Sequence, residues 1–528
     1  MSATLPSGLS EGSLDAALEE FRAALGEEAV ITEDAAVREF RDPFWPADDD
    51  TYAPSVVVMP ETTEQVQEIV RIANRHAVPV WTHSTGRNNG YGGPAPRVGG
   101  SVTISLRNMN RVLEINEELG YAVVEPGVRW FDLYDALKAG GHALMLSIPD
   151  LGWGSVIGNS LDNGVSYLPY GKDFAAPCGM EVVLADGTLL RTGVGAQEGN
   201  PSWHLYKRGL GPVLDPLFIQ SNYGIVTRMG VHLMPRPEVY SALMLRLWAP
   251  GDIGPAVDIV RTLQLKGVLQ GVPTIGSGVG IASQMTPRSQ WYDGEDPLPD
   301  EIHERIGREL GLGRWAMRFG LWGDEDMVDV RLAKIRRAFA AIPGAEVLET
   351  RYTGEQIAAE EIAPQDRVLA GIPNLDVNTM TGWYGGEEGG HIGFSPVVPL
   401  TGQSFVEVYE LLRGYVEEEA RLDFIAGSLV INDRSLVMVA MLIFDTKDAE
   451  QTRRAYAVAK RLAVEAGKRG YGEYRAHVDF MDLTADQYAF NDHAYRRFCE
   501  RIKDAVDPGG ILSPGRHGIC PAGMRNGS

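Results

Sequence analysis

The stretch Asp150–Asn159, DLGWGSVIGN, contains the feature from which the fold of this chain can be predicted. It directly follows an apolar segment that ends at Pro149, and Asp150 stands at its start. Four of its residues are small: Gly152, Gly154, Ser155 and Gly158. Glycines at this spacing let the backbone come close to a ligand and offer it N–H donors. The structural alternative is a turn that is opened by a helix-capping aspartate.

A second glycine-rich loop lies upstream, at Ser84–Gly93, with the sequence STGRNNGYGG. The segment before it predicts a β-strand at 54–60, an amphipathic helix at 61–77 and a second strand at 78–81. Ligands bind at the carboxyl ends of the strands in such βαβ units, so this loop is well placed to bind one. No G-x-G-x-x-G pattern follows any predicted strand, which leaves a nicotinamide cofactor without support.

The remaining pattern predicts mixed α and β structure. The predicted helices are 14–25, 130–139 and 252–267, and the predicted strands are 101–106, 121–128 and the hairpin 181–191. A turn at 116–120 is expected to join the first two of these strands, and Asp186-Gly187 forms the turn of the hairpin. A glycine followed by a strand recurs at 221–227. From about residue 238 to 472, strands and helices alternate in a way that indicates a second α+β unit.

Composition excludes several classes of protein. With 528 residues and 44% apolar residues the chain can form two or three globular domains. Its net charge of −23 argues against a nucleic-acid partner. The N-terminal residues contain no basic segment followed by an apolar core, and no apolar run is long enough to span a membrane, so a cytoplasmic protein is expected. Three cysteines without CxxC or HExxH spacing predict no metal site.

Both loops, with further segments, resemble one family. Those segments are Gly164-Val165, Pro169–Gly171, Gly179–Leu184, Gly389–Pro396, Gly472–Arg475 and Pro514–Arg516. The chain resembles the vanillyl-alcohol oxidase and 4-cresol dehydrogenase flavoproteins, and is most similar to the eugenol oxidase-like 4-phenol oxidases. The resemblance implies a two-domain α+β fold: an FAD-binding domain at 1–237, a cap domain over the substrate at 238–473, and a return to the first domain at 474–528. It also implies a homodimer.

His391 stands between glycines in the sequence GGHIGFSP. Taken alone, a histidine is more often a core or solvated side chain. The resemblance implies that His391 binds FAD covalently through the 8α-methyl group of the flavin. The resemblance assigns cofactor binding to a further set of residues: Ser84, Thr85, Gly86, Arg87, Asn88, Asn89, Gly90, Gly92, Pro149, Leu151, Gly154, Ser155, Gly158, Asn159, Glu181, Gly224, Ile225 and Arg516.

Four residues are expected to act on substrate. By resemblance, Tyr91, Tyr474 and Arg475 bind the phenolic oxygen, although each alone would be interpreted as a buried aromatic or a surface arginine. A phenol must be held as phenolate for hydride to leave the carbon para to it, and a guanidinium with two hydroxyl groups favours that ionisation. Hydride transfer to the flavin then gives a p-quinone methide. Asp150 is implied to act beside the flavin and as the base for water that adds to this product.

Asp150 and His391 favour an oxidase that uses molecular oxygen, because the cresol-dehydrogenase branch lacks this aspartate and attaches its flavin through tyrosine. The alternative enzyme is a dehydrogenase that passes electrons to a cytochrome or another protein. No CxxCH haem motif occurs in the chain, so such an acceptor would be a separate subunit. A non-catalytic scaffold is disfavoured, since it would not need Asp150, His391 and the Tyr474-Arg475 pair together.

The substrate pocket is expected to include Tyr167, Ser395, Arg434 and Val437. Relatives carry paired histidines three and four residues after an arginine that aligns with Arg434, and Val437-Met438 stand there in this chain. The change predicts a pocket wall that prefers apolar para substituents. The alternative is that Asn432 or Asp433, on a segment about two residues longer, supplies the missing polar contact.

Overall fold

A computed structural model describes residues 5–6, 9–46 and 48–525. The strands, in chain order, are β1 (Val30–Ile31), β2 (Val56–Val58), β3 (Val80–His83), β4 (Val102–Ser105), β5 (Val112–Asn116), β6 (Tyr121–Val124), β7 (Leu144–Met145), β8 (Pro177–Val183), β9 (Leu189–Arg191), β10 (Ile225–His232), β11 (Met234–Pro235), β12 (Val239–Leu247), β13 (Thr274–Ser277), β14 (Trp315–Gly323), β15 (Glu346–Thr353), β16 (Gly389–Phe394), β17 (Val397–Pro399), β18 (Ile425–Leu429) and β19 (Ser435–Asp445).

Helices connect and cover these strands. They are α1 (Glu11–Leu25), α2 (Asp34–Val37), α3 (Thr63–His76), α4 (Trp130–Ala139), α5 (Val156–Leu161), α6 (Ile253–Leu265), α7 (Gly278–Ala282), α8 (Asp300–Glu309), α9 (Glu325–Phe339), α10 (Gly354–Ala358), α11 (Gly382–Gly385), α12 (Gly402–Tyr415), α13 (Ala449–Gly467), α14 (Met481–Asp486), α15 (Phe490–Val506) and α16 (Ala522–Arg525). None of the described helices is both long and apolar enough to cross a bilayer.

The first sheet has the strand order β1-β2-β4-β3; β4 is parallel to both β2 and β3, and β1 is antiparallel to β2. Helix α3 begins at a cap in which Thr62 Oγ1 accepts a hydrogen bond from the N–H of Gln65 at 3.2 Å. Its apolar side chains, among them Val66 and Ile69, share a buried cluster with the strands. The predicted strand–helix–strand unit is confirmed, with β4 lying between the other two strands.

The second sheet is antiparallel, with the order β5-β6-β10-β8-β9. The predicted hairpin at 181–191 is confirmed as β8–β9, and Gly187 in its turn has φ +81°. The predicted joining of 101–106 to 121–128 is wrong, since the turn at 116–120 joins β5 to β6. The strand predicted at 101–106 is present as β4, but it belongs to the first sheet, where it pairs with β2 and β3. It is buried along its length because a strand lies on each side of it.

The large sheet contains the eight strands β12 to β19 and is antiparallel throughout. Helices α6, α9, α12 and α13 share one buried apolar cluster with it. The predicted helix at 252–267 is confirmed as α6. Domain boundaries at residues 237 and 473 stay a prediction.

The C-terminal segment runs beside β3 of the first sheet. The N–H of Val80 donates to the carbonyl of Ile511 at 2.8 Å, and the N–H of Ser513 donates to the carbonyl of Val80 at 2.7 Å. The end of the chain is thereby held next to the loop Ser84–Gly93.

Candidate active site

A cavity of about 380 Å³ is lined by both glycine-rich loops, by the large sheet and by the C-terminal segment. The residues that were predicted as site residues and line this cavity are Ser84, Thr85, Gly86, Arg87, Asn88, Asn89, Tyr91, Pro149, Asp150, Leu151, Gly154, Ser155, Gly158, Asn159, Tyr167, Gly224, Ile225, His391, Tyr474, Arg475 and Arg516. Segments from the beginning, middle and end of the sequence therefore line a single cavity.

The two glycine-rich loops are in direct contact at Gly158. A Cβ atom at this position would collide with the Oγ of Ser84, so only glycine allows the loops to approach so closely. Ser155 caps α5, since its Oγ accepts a hydrogen bond from the N–H of Gly158 at 2.9 Å and donates to the carbonyl of Pro126 at 2.5 Å. The cap is therefore made by Ser155, and the side chain of Asp150 is left for other contacts.

His391 lies on β16, between the ring of Phe44 and the loop that contains Gly90. The ring centroids of Phe44 and His391 are 5.3 Å apart, and a Cβ atom on Gly90 would lie 2.5 Å from His391 Nε2. Burial lowers the pKa of His391 to about 4, so the imidazole is neutral at neutral pH. Its buried Nδ1 has no hydrogen-bond partner among the described residues. A neutral, unpartnered ring nitrogen is chemically suited to bond to a ligand.

Arg475 lies against two aromatic rings at one end of the cavity. Its guanidinium carbon is 4.9 Å from the ring centroid of Tyr91 and 5.2 Å from that of Tyr474. Burial raises the pKa of both tyrosines, which keeps their hydroxyl groups protonated as donors. The hydroxyl group of Tyr91 is 3.0 Å from the Oγ of Ser395, so that serine orients the ring. One cation and two hydroxyl donors can stabilise an oxyanion here.

Asp162 was missed by the sequence analysis. Its carboxylate lies 3.5 Å from Arg475 Nε and accepts a hydrogen bond from Asn88 Nδ2 at 2.8 Å, while Asn88 Oδ1 accepts one from Arg475 at 3.1 Å. Burial favours the neutral acid, but the charge of Arg475, the contact with His517 and the charge of Arg516 together outweigh this and lower the pKa of Asp162 to about 2. Asp162 therefore fixes the guanidinium as a counter-ion. Its position just after α5 could have indicated a role near the loop.

Asp150 has two partners in the structure. Tyr167 donates its hydroxyl proton to Oδ2 of Asp150, and Arg318 Nη2 donates to Oδ1 at 3.3 Å. Arg318 was also missed, because a single arginine within a strand pattern has no distinguishing signal in one sequence. The helix-cap alternative for Asp150 receives no support from these contacts.

The apolar wall of the cavity is formed by Leu429, Val439 and Met441 from β18 and β19. The prediction that Arg434 and Val437 line the pocket is wrong. Arg434 is exposed at the turn between the two strands, and Val437 is buried inside the sheet, opposite Leu429. Alternate residues of a strand share a face, so Val437 lies on the same face of β19 as Val439 and Met441. The cavity meets this face at residues 439 and 441, which follow Val437 in the strand.

The lengthened segment before β19 does not reach the cavity. Asp433 pairs with Lys172 at 3.0 Å, and Asn432 Oδ1 accepts hydrogen bonds from the N–H groups of Arg434 and Ser435, both at 2.9 Å. Neither Asn432 nor Asp433 is among the described residues that line the cavity. The alternative in which one of them supplies a polar pocket contact is therefore not supported by these contacts.

Comparison with known proteins identifies the family. Residues 54–193 match an FAD binding domain. The chain is 35% identical over 520 residues to the 4-cresol dehydrogenase (hydroxylating) flavoprotein subunit of Pseudomonas putida, a match that covers 98% of each chain. It is 37% identical to the solved 4-ethylphenol oxidase from Gulosibacter chungangensis in its isoeugenol complex, with a TM-score of 0.93 over 99% of this chain and 100% of that one. Substrate-bound p-cresol methylhydroxylase is 34% identical, with a TM-score of 0.92 over 98% and 99%.

The chain belongs to the vanillyl-alcohol oxidase and 4-cresol dehydrogenase family. It is a flavin-dependent oxidoreductase of the family's 4-phenol-oxidising type. The predicted family and the predicted α+β FAD-binding fold class are thereby confirmed.

FAD, the family's cofactor, fits the residues that line the cavity. Gly158 leaves no side chain where the two loops meet, and His391 Nδ1 and Arg516 Nε are buried polar atoms without hydrogen-bond partners among the described residues. The guanidinium of Arg516 lies 4.7 Å from the ring centroid of Trp81. Unpaired buried polar atoms are costly, so a polar ligand that they can contact is expected.

Four other residues that were predicted as site residues do not line the cavity: Gly90, Gly92, Glu181 and Ser395. Glu181 was predicted to bind the cofactor. Its buried carboxylate instead pairs with Arg191 at 3.1 Å and Arg228 at 3.8 Å inside the second sheet. The two glycines make room for neighbours, since a Cβ atom on Gly92 would lie 2.6 Å from Val478 Cγ1. In the described part of the chain no group of three or more His, Cys, Asp or Glu residues could hold a metal ion.

Proposed function

We propose that this enzyme is an FAD-dependent oxidase of para-substituted phenols, which include 4-alkylphenols, eugenol-like 4-allylphenols and 4-hydroxybenzyl alcohols. The proposal is carried by one observation: the Arg475 guanidinium lies between the rings of Tyr91 and Tyr474, in the cavity that Asp150 also lines. A phenol whose oxygen binds to Arg475 and the two tyrosines can place its para substituent towards Asp150.

Arg475 and the two tyrosines would bind the substrate as phenolate. The positive charge and the hydroxyl donors lower the free energy of the anion relative to the neutral phenol. Asp162 keeps the guanidinium in place and cannot take up the phenolic proton at neutral pH, because its own pKa is about 2. Electron donation from the phenolate oxygen through the ring then allows hydride to leave the benzylic carbon of the para substituent, and the organic product is a p-quinone methide.

When bound, FAD would supply the hydride acceptor. We propose that His391 attaches it covalently at the 8α position, which is supported by the neutral imidazole and its unpartnered Nδ1. The glycine-rich loops and Arg516 would hold the rest of the cofactor through backbone N–H groups and one cation. The apolar wall of Leu429, Val439 and Met441 would exclude water from the para substituent.

Asp150 would act on the product of hydride transfer. A carboxylate beside the benzylic carbon can take a proton from water as the oxygen of that water bonds to this carbon of the quinone methide. The proton then resides on Asp150, the ring becomes a phenolate again, and the product carries its new hydroxyl group on the benzylic carbon.

We propose molecular oxygen as the electron acceptor, with hydrogen peroxide as its product. The residues Asp150 and His391 match the oxidase branch, and the relative from Gulosibacter chungangensis is an oxidase. The second candidate is a dehydrogenase with a separate protein acceptor, since the Pseudomonas putida relative is a dehydrogenase flavoprotein subunit. Anaerobic reduction by a panel of phenols, followed by admission of air, tests both. Rapid reoxidation with peroxide release is expected, and a reduced enzyme that stays reduced in air contradicts the oxidase.

We also propose a homodimer. Helix α15 exposes the aromatic side chains of Phe490, Tyr495 and Phe498, and their exposed fractions range from 55% to 90%. A group of exposed aromatic side chains is typical of a surface that binds another protein. Light scattering after size exclusion should give twice the mass of the chain, and a monomer mass at micromolar concentration contradicts the proposal.

A further inference from the structure

Asp150, Tyr167 and Arg318 form a compact group, here called the Asp150 cluster. Each carboxylate oxygen of Asp150 accepts one hydrogen bond, Oδ2 from the Tyr167 hydroxyl group and Oδ1 from Arg318 Nη2 at 3.3 Å. The guanidinium carbon of Arg318 also lies 5.2 Å from the ring centroid of Tyr167. Asp150 and Tyr167 line the cavity, whereas Arg318 is not among its described lining residues. Arg318 is therefore linked to the cavity through its contact with the carboxylate.

The two ends of this ion pair lie on different parts of the fold. Asp150 belongs to the loop between β7 and α5. Arg318 lies in the middle of β14, where it is paired with Met244 on one side and Thr274 on the other. A residue with a strand on each side has a well-fixed backbone, so Arg318 can fix the direction of a carboxylate that is carried by a loop.

The charges around Arg318 point to Asp150 as its partner. Among the described residues, Asp150 is the carboxylate within ion-pair distance of Arg318. The other titratable groups near the cluster are Tyr240, Tyr474 and Asp366. Asp366 is already bonded, since its carboxylate accepts a hydrogen bond from the Tyr352 hydroxyl group at 2.8 Å.

We propose that Arg318 is a positioning residue that holds Asp150 as an oriented carboxylate, with the remaining lone pairs of its oxygens facing the cavity. This rests on the proposed function, in which Asp150 accepts a proton from the water that adds to the quinone methide. Two fixed donors, one on each oxygen, remove the rotational freedom of a carboxylate. Tyr167 supplies the second donor, and burial and the charge of Asp150 raise its pKa, so its proton stays on the phenol.

The test uses the flavin-loaded enzyme with Arg318→Gln and Arg318→Lys. The kcat and KM for a 4-alkylphenol and the anaerobic reduction rate are measured for each. In Arg318→Gln we expect a ten- to hundredfold lower kcat with little change in KM, because the carboxylate is no longer held in a fixed direction. Arg318→Lys keeps a cationic donor and should recover part of this loss in kcat.

Arg246→Gln is the matched control. Arg246 lies on the neighbouring strand β12, pairs with Glu346 at 3.9 Å and is not among the described residues that line the cavity, so its kcat and KM should not change. Asp366→Asn should also leave kcat unchanged, which separates the effect of Arg318 on Asp150 from its effect on Asp366. A wild-type kcat in Arg318→Gln would overturn the inference. A kcat in Arg318→Lys as low as that of Asp150→Asn would overturn it as well, and this holds even if Arg318→Gln does not fold.

Asp150→Asn is measured in parallel, because it separates this inference from the proposed function. If Asp150→Asn reacts like the wild type, the proposed role of Asp150 is wrong and Arg318 has nothing to position. If Asp150→Asn is slow and Arg318→Gln keeps the kcat of the wild type, only the inference about Arg318 is wrong.

Discussion

At the scale of single residues, the contact between Gly90 and His391 decides whether the histidine can act on a cofactor. Ten histidines occur in the chain, and the sequence distinguishes His391 only by its flanking glycines. In the fold, a glycine from a distant loop completes the site, since a Cβ atom at Gly90 would lie 2.5 Å from His391 Nε2. Its φ of +78° is a second reason for glycine at this position.

His391→Ala should abolish covalent flavin, because the bonding nitrogen is removed. Gly90→Ala should lower the covalently bound fraction, since the new methyl group displaces the imidazole. The measurement is flavin fluorescence of the denatured protein against total flavin. Gly141→Ala is the matched control, because Gly141 has a similar φ of +67° but a Cβ atom there would have no neighbouring atom within 4 Å. Covalent flavin in His391→Ala, or an equal loss in both glycine variants, would contradict the proposed attachment.

Arg475→Met should lower kcat/KM for 4-alkylphenols strongly. A hydrogen bond to a charged group contributes about 1.5–3 kcal/mol, which is roughly ten- to a hundredfold in kcat/KM. Arg434→Met is the control, since that arginine is exposed and lies outside the cavity wall. Wild-type turnover of 4-methoxy ethers, which cannot ionise, would contradict phenolate recognition.

At the scale of elements, the strand pair β18–β19 provides an apolar wall of the cavity. Its side chains there are Leu429, Val439 and Met441, which offer no hydrogen-bond partner to a hydroxyl group on the benzylic carbon of a substrate. The preference for apolar substituents was predicted from Val437 and Met438, and it stays a prediction that now rests on different residues. The one-face periodicity of a strand could be recognised in the sequence, but the point at which the cavity meets the strand depends on tertiary packing.

Val439→Thr tests this wall with a nearly isosteric change. The added hydroxyl group can pair with a benzylic alcohol, and an unpaired hydroxyl group in a closed site costs about 1–3 kcal/mol. We therefore expect the ratio of kcat/KM for 4-hydroxybenzyl alcohol over 4-propylphenol to rise roughly tenfold or more. Val437→Thr is the control on the same face of the strand, and it should affect stability without changing this ratio. Equal ratios in both variants would contradict the assignment.

Local signals explain what could be predicted of the elements. The helix α3, the hairpin β8–β9 and the two glycine-rich loops follow from periodicity, caps and turn residues within short windows. The pairing of β4 inside the first sheet could not be predicted, because parallel strands pair with segments far away in sequence. Asp162 and Arg318 could not be predicted either, since their roles depend on partners that are brought close only by folding.

At the scale of the whole molecule, the C-terminal segment is joined to the cofactor cavity by a fully buried ion pair. Lys503 Nζ lies 2.7 Å from Asp507 Oδ2, and it donates to the carbonyl groups of Asn222 at 2.7 Å and Leu512 at 2.6 Å. Asn222 and Leu512 line the cavity, so one ammonium group fixes two of its walls. A lysine in an amphipathic helix is expected at the surface, which is why the sequence contains no sign of this role.

Lys503→Met should therefore destabilise the protein and weaken flavin retention together. Removing one partner of a buried ion pair costs about 3–5 kcal/mol. Asp507 would keep only its backbone donors, the N–H groups of Ile511 at 3.2 Å and Leu512 at 2.9 Å. The double variant Lys503→Met with Asp507→Asn removes both charges, keeps an oxygen acceptor for these donors and should recover a large part of this loss. Lys447→Met is the surface control, since its pair with Glu388 is exposed and should contribute less than about 1 kcal/mol. Thermal unfolding and flavin release are measured on each variant. If Lys503→Met unfolds at the same temperature as Lys447→Met, the buried pair does not hold the C-terminal segment against the cavity. The backbone hydrogen bonds of Val80 with Ile511 and Ser513 must then hold the segment in place.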